Sequence, residues 1–161
     1  IPWVRLRGVP PPMAQLIRGT PAELEAIYVG PGVLSRPSGQ FRGRHLAWLE
    51  TRVAHHLVLR PVNDLVFARL PWCIDFDRRV WTWLGLPLGF GHFSLSAGPS
   101  RWRDTSTLRM LYDDRRLPGF FNQFLYDEVK PLSDDVCLGI GGVSRARGDG
   151  DQFFFALERV G

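Results

Sequence analysis

The sequence predicts a mainly β fold: a closed, antiparallel up-and-down barrel of about eight or nine strands, with a short N-terminal helical segment. From Gly39 onward, β-branched and aromatic runs recur about every ten to twelve residues. Clusters of Gly, Pro, Asn and Asp separate these runs, and no helical periodicity intervenes. A meander of that length must protect its edge strands, and closure into a barrel does so. A β-sandwich is the alternative.

Length and composition predict one globular domain. The chain has 161 residues, of which 45% are hydrophobic and 22% are charged, and a chain of that size can bury its own core. We expect a lead-in with helices over residues 1–38 and a barrel over residues 39–161.

The clearest helix signal lies near the N-terminus, where two short helices are predicted. Thr20 is suited to the N-cap, Pro21 to the first helical position, and Glu23 stands three residues after the cap. Gly30 and the following Pro31 end the helix.

The strands are predicted from period-two alternation between turn signals. The candidates are 40–50, 53–60, 63–70, 73–84, 88–97, 105–112, 121–131, 135–143 and 151–160. Glycines inside several of them, in GRH, GFGHF and LGIGG, favour the barrel because strongly coiled strands need glycine at their bends.

Charge and hydropathy argue against nucleic-acid and membrane partners. The net charge is +4, but the 20 basic residues are scattered among 16 acidic ones, so no basic patch is predicted. No stretch approaches the roughly 18 apolar residues of a membrane span, and the first residues lack the apolar core of a signal peptide. We expect a cytoplasmic protein; the sequence does not indicate its oligomeric state.

The cysteines and histidines predict neither a metal site nor a cofactor. Cys73 and Cys137 are too few and too far apart for a disulfide framework or a zinc ribbon, and two reduced thiols are expected. The four histidines have no short ligand spacing.

The stretch LGIGG raises the question of a phosphate-binding loop. A dinucleotide fingerprint needs a third glycine and a following helix, but Ser144 stands at the third position and a Gly-Asp-Gly turn follows. The glycines are therefore predicted to bend a strand. If Gly139 and Gly141 face inward, they leave space for a ligand.

His92 is the histidine best placed for chemistry. Alternation puts Phe90, His92, Ser94 and Ser96 on one face of the predicted strand. That face is either the polar part of a cavity wall, where an imidazole can exchange a proton near neutral pH, or an exposed outer face.

Two adjacent acids, Asp127 and Glu128, lie in the middle of a predicted strand. Alternation forces one of them inward, and a buried carboxylate needs a partner. Acid-base chemistry and a structural ion pair with an arginine are both compatible with this pattern.

The aromatic residues outnumber what packing of a small barrel requires, which predicts an apolar cavity with a few polar groups. The predicted ligand-binding residues are Trp72, Trp83, Phe90, His92, Tyr112, Phe124, Tyr126, Gly139 and Gly141.

Several segments resemble bacterial lipocalin-like proteins, small barrels of the calycin superfamily in the broad sense. The helix TPAELEAIY leads through PSG into the strand GQFRGRHLAWL, and DEVKPLSDDVCLGIGG and DQFFFALERV resemble the terminal hairpin. Phe41 stands where the Gly-x-Trp signature of secreted lipocalins has tryptophan. The resemblance implies binding of a small hydrophobic molecule, and some relatives of the fold are isomerases, cyclases or decarboxylases.

We therefore expect a small hydrophobic ligand in a barrel cavity. The alternative is an isomerase, cyclase or lyase that uses His92, Asp127 or Glu128 in the same cavity. A third hypothesis is an interaction module whose arginine-rich loops meet an acidic partner.

Overall fold

The computed structural model describes residues 11–33, 35–49, 71–83, 89–113, 125–143, 146–147 and 151–161, together with Leu65 and Arg69. These residues form two helices and nine strands. The elements are α1 (Met13–Arg18), α2 (Pro21–Val29), β1 (Gln40–Trp48), β2 (Trp72–Asp75), β3 (Val80–Trp83), β4 (Gly89–Phe90), β5 (Phe93–Pro99), β6 (Ser106–Tyr112), β7 (Leu125–Pro131), β8 (Val136–Val143) and β9 (Gln152–Arg159).

The strands form one sheet in the order β4-β3-β2-β1-β9-β8-β7-β6-β5, and every neighbouring pair is antiparallel. The predicted class, mainly β and antiparallel with a short N-terminal helical segment, is confirmed.

The sheet is a strongly curled, open half-barrel, so the prediction of a closed barrel is wrong. Its two edge strands, β4 and β5, are separated in the chain only by Gly91 and His92. Gly91 has a φ of +57°, a backbone conformation that favours glycine. The chain kinks at this residue, where it leaves β4, which pairs with β3, and enters β5, which pairs with β6. A backbone hydrogen bond of 3.1 Å from Phe93 N–H to the Arg79 carbonyl oxygen spans the gap, but no ladder joins the edges within the described strands.

Most predicted strands correspond to observed strands, but two of the predicted strands each contain two observed ones. The segment 88–97 is divided by the kink into β4 and β5, and 73–84 is the hairpin of β2 and β3. In that hairpin the Asp75 carboxylate accepts a 2.8 Å hydrogen bond from Arg78 N–H. Arg79 closes the turn with a φ of +57°.

Two predicted strands fall mainly on residues that are not described. The whole of 53–60 lies outside the described residues. Leu65 and Arg69, the two described residues of 63–70, are helical, so the strand prediction is wrong at these two positions.

Helix α2 begins as predicted. The Thr20 hydroxyl accepts a 3.3 Å hydrogen bond from Glu23 N–H, and the Glu23 carboxylate accepts one of 2.8 Å from Thr20 N–H. This reciprocal capping box satisfies two donors that the first turn leaves free. Leu24 and Tyr28 project from the helix into the core.

Alternation along the strands builds two separate cores. The concave face, the inner side of the curl, carries Phe41, Trp72, Ile74, Phe76, Trp81, Phe93, Leu95, Leu108, Met110, Tyr112, Val129, Cys137, Phe153, Phe155 and Leu157. The convex face packs beneath α1 and α2 and carries Tyr126, Leu138, Ile140, Phe154 and Ala156. Distant parts of the sheet meet across the concave face: Phe76, which directly follows β2, lies 6.2 Å from Phe93 of β5 between ring centroids.

Glycines on the concave face provide space for aromatic rings. Gly139 is the direct cross-strand partner of Phe155, and a methyl group at Gly139 would overlap that ring. Gly43 and Trp72 have the same relationship between β1 and β2. The prediction that Gly139 leaves space for a ligand is therefore wrong, because Phe155 fills that space.

The first prediction concerns this contact. Gly139→Ala should lower the free energy of unfolding by roughly 1–3 kcal/mol, the usual cost of overpacking a filled core. Chemical denaturation measures the change. Gly161→Ala is the matched control, because no atom lies within 4 Å of a Cβ at that position. Equal stability of the two variants would contradict the packing that we describe.

Candidate functional site

The two adjacent acids of β7 lie on opposite faces of the sheet, and both are buried. Asp127 is on the concave face with 8% of its surface exposed, and Glu128 is on the convex face with 0% exposed. The prediction that one of them faces inward is confirmed for Asp127. Alternation alone does not indicate that Glu128 is buried as well, since the helices that cover it pack from outside the sheet.

Glu128 is held by four donors. The Tyr28 hydroxyl donates to Oε1 at 2.9 Å, and the Tyr126 hydroxyl and Arg101 N–H donate to Oε2 at 2.9 and 3.0 Å. The Ser100 hydroxyl also donates to Oε1. A carboxylate has about four acceptor positions, so this one is satisfied by contacts that tie α2 and the segment after β5 to β7. Its geometry is that of a structural group.

Asp127 ends a chain of hydrogen bonds across the concave face. The Trp81 Nε1–H donates to the Tyr112 hydroxyl oxygen at 2.7 Å, and the Tyr112 hydroxyl donates to Asp127 Oδ2. Gly142 N–H donates to Oδ1 at 3.3 Å. The chain links β3, β6, β7 and β8 through one carboxylate.

The glycine-rich end of β8 makes room for that carboxylate. Gly141 is the direct cross-strand partner of Asp127, and a methyl group there would overlap Asp127 Oδ1. Gly142 has a φ of +137°, a conformation that favours glycine, and it directs its N–H at the same carboxylate. Gly141 therefore accommodates Asp127 and does not leave the predicted space for a ligand.

Burial is the main cause of the shifted pKa values of Asp127 and Tyr112. It raises the pKa of Asp127 to about 7, while the hydrogen bonds from Tyr112 and Gly142 act in the opposite direction. Burial and the nearby Asp127 charge raise the pKa of Tyr112 well above its usual value. No arginine or lysine among the described residues forms an ion pair with Asp127.

Aromatic rings surround the Tyr112–Asp127 pair. The Tyr112 ring lies 6.2 Å from Phe93, and Trp72 lies 4.8 Å from Trp81, between centroids. Near the end of β1, the His45 ring stacks on Phe153 at 5.0 Å. His45 was not among the predicted site residues, because its neighbours in the sequence, Arg44 and Leu46, gave no sign of this stacking.

The end of the concave face nearest Asp127 carries the two partly buried apolar side chains that pack against this core. Trp48 and Leu125 lie there, and both are only partly buried against the core. We call this end, defined by Trp48, Tyr112, Leu125 and Asp127, the mouth.

The structure brings together some of the predicted site residues. On the concave face it places Trp72, Tyr112, Asp127, Gly139 and Gly141. Tyr126 lies on the convex face, where its ring packs edge-on against Trp102 at 5.0 Å. Phe124 and the side chains of Trp83 and Phe90 are outside the described residues.

His92 lies at the surface, in the kink between β4 and β5. Its carbonyl oxygen accepts a 3.1 Å hydrogen bond from Asp113 N–H. The kink interrupts the alternation that assigned His92 to a cavity wall with Ser94 and Ser96, and these two serines alternate with the concave-facing Phe93 and Leu95. Of the two placements that the sequence left open for His92, a cavity wall and an exposed face, the structure shows the exposed one.

Two depressions of about 370 and 340 Å³ lie outside the concave face. The smaller one includes Lys130, whose pKa is lowered by burial. Its Nζ donates to the Gly30 carbonyl oxygen at 2.8 Å and to the Thr105 hydroxyl. These contacts hold the end of α2 against β7, so the role of Lys130 is structural.

Cys73 and Cys137 are free thiols. Within the described ranges, no three His, Cys, Asp or Glu side chains are grouped in a way that could hold a metal ion. Neither of the two described helices has the length and apolar character needed to cross a membrane.

Comparisons with known proteins assign no family. No family model and no curated protein matches the chain. Among solved structures, the chain is similar to the crystal structure of a protein from Thermomonospora curvata, with 18% identity, 89% coverage of each chain and a TM-score of 0.48. The case for a function therefore rests on the residues of this chain.

The second prediction follows from the raised pKa of Asp127. The folded-state pKa is about 7 and the unfolded value is about 3.9, so between these pH values the folded chain keeps a proton that the unfolded chain has lost. The free energy of unfolding should therefore fall as the pH rises from about 4 to about 7, by on the order of a few kcal/mol.

Asp127→Asn should remove this part of the pH dependence, and Asp113→Asn, at an exposed position, should not. Urea denaturation at a series of pH values measures both. A slope that is unchanged in Asp127→Asn would show that the carboxyl group titrates normally.

The third prediction concerns the structural acid. Glu128→Ala should destabilise the fold by roughly 3–5 kcal/mol, because it leaves several buried donors without an acceptor. Glu158→Ala, at an exposed position of β9, should change stability by about 0.5 kcal/mol or less. Thermal and chemical denaturation test the difference, and a similar small effect at both positions would refute the structural role.

Proposed function

We propose that this protein binds a small, largely hydrophobic molecule at the mouth of its concave face. The observation that carries the proposal is the Tyr112–Asp127 pair, a buried hydrogen-bonded polar group within an aromatic wall. Ligand sites typically combine apolar walls with a few fixed polar groups.

The location at the mouth follows from what fills the rest of the concave face. In the deeper part, Trp72 packs against Trp81 and Phe155, at 4.8 and 5.9 Å between ring centroids. Phe155 also occupies the space above Gly139. At the mouth, Trp48 and Leu125 are only partly buried, so an apolar molecule placed there would cover rings and reach Asp127.

The same proposal includes a relationship to lipocalin-like proteins. It is supported by the curled antiparallel sheet with an aromatic inner face and by the helix that precedes β1.

A second candidate function is catalysis at the same pair. Asp127 has a pKa of about 7, and a carboxyl group that titrates near neutral pH can serve as a general acid or base. Tyr112 would then position it, since its hydroxyl holds Oδ2. An isomerase, cyclase or lyase that moves one proton on a hydrophobic substrate fits this arrangement.

The fourth prediction tests binding. The neutral probe N-phenyl-1-naphthylamine should quench tryptophan fluorescence, and Leu125→Trp should weaken its binding at least fivefold by filling the mouth. Leu111→Trp is the matched control, because Leu111 is 42% exposed and belongs to the opposite face of β6. Equal binding by both variants would place the site elsewhere, and no binding by the unmodified protein would remove the proposal.

Native mass spectrometry separates binding from catalysis. Under the binding hypothesis, the protein and its Asp127→Asn variant retain the same small molecule from the same host. Under the catalytic hypothesis, Asp127→Asn retains a molecule that the unmodified protein has converted. Identical masses would count against catalysis by Asp127.

A further inference from the structure

We infer that the ligand at the mouth is a hydrophobic amine, whose protonated nitrogen pairs with the Asp127 carboxylate beside the ring of Tyr112. The inference rests on the proposed function and adds the chemical class of the ligand.

The first argument is the distribution of charge between the two faces. In β1, Phe41 and Gly43 belong to the concave face. Alternation therefore points Arg42 and Arg44 to the convex face. Arg109 of β6 likewise alternates with concave-facing residues. The cations of these strands therefore point away from Asp127.

Two further cations are already engaged at a distance from the mouth. Lys130 is held on the convex side by the Gly30 carbonyl oxygen at 2.8 Å. Arg159 lies at the opposite end of β9 from Phe153, where it forms an ion pair with Asp135 at 3.0 Å. His45 of β1 also lies on the concave side, where its ring stacks on Phe153 at 5.0 Å. Within the described strands, no arginine or lysine on the concave face forms an ion pair with Asp127.

The second argument is the difference between the two buried acids. Glu128 receives four hydrogen bonds, which fill its acceptor positions. Asp127 receives two from the described residues, one from Tyr112 and one of 3.3 Å from Gly142 N–H. A carboxylate accepts about four, so Asp127 keeps acceptor positions that an ammonium group can use.

The third argument is the surroundings of the carboxylate. Aromatic faces attract cations, and Trp81, Phe93 and Tyr112 form a continuous group by their hydrogen bond and ring contact. A buried carboxylate is costly without a positive partner. A ligand carboxylate would be repelled by the ionised Asp127, and a neutral ligand would not form the ion pair that an ammonium group forms with it.

The test compares three probes with the same apolar body: 1-naphthylmethylamine, 1-naphthalenemethanol and 1-naphthoate. Their dissociation constants are measured by tryptophan quenching at pH 7.5 with the full chain. The amine should bind at least tenfold more tightly than the alcohol, and the naphthoate should bind most weakly. In Asp127→Asn the amine should bind no more tightly than the alcohol, whose own affinity should stay within about twofold, whereas Asp113→Asn should keep the preference for the amine.

The outcomes separate this inference from the proposed function. Equal binding of amine and alcohol by the unmodified protein would overturn the amine assignment and leave hydrophobic binding intact; that comparison does not depend on any variant folding. A preference for the amine that persists in Asp127→Asn would overturn the role of Asp127. Failure of all three probes to bind would overturn the proposed function itself.

Discussion

The alternation of β7 places one carboxylate on each face of the curled sheet. Asp127 and Glu128 are adjacent, so a strand must send them to opposite faces, and both faces of this sheet are buried. Each carboxylate therefore needs its own donors, because an unpaired buried charge is costly. Tyr112 and the Gly142 amide supply them on one side, and Tyr28, Tyr126 and the segment after β5 supply them on the other.

The two sets of donors differ in what they do to the molecule. Those of Glu128 come from α2, β7 itself and the segment after β5, so the carboxylate joins pieces of the chain that pack from outside the sheet. Those of Asp127 come from β6 and β8, the two strands that neighbour β7, and the curl of the sheet brings Trp81 of β3 to the hydroxyl of Tyr112. Glycine makes room for the carboxylate, since a side chain at Gly141 would occupy the position of the Asp127 carboxylate.

Local patterns in the sequence predicted the elements well. The Thr20 capping box and the later strands follow from side chains within a few residues of one another. The sequence shows the kink at Gly91 only as a glycine within a strand-like run. The positive φ depends on the strands with which the flanking residues pair, and these pairings are not local in the sequence. The open barrel and the exposed position of His92 both follow from that kink.

The site was predictable in part, for the same reason. Period two required one acid of β7 to face inward, and the aromatic content pointed to an apolar interior. The hydrogen bond between Trp81 and Tyr112 joins residues 31 positions apart on strands that are not neighbours in the sheet, so no local pattern encodes it. The glycines of LGIGG show the same limit. Their spacing indicated a strand that makes room for another group. Only the cross-strand register identifies the accommodated side chains as Phe155 and Asp127.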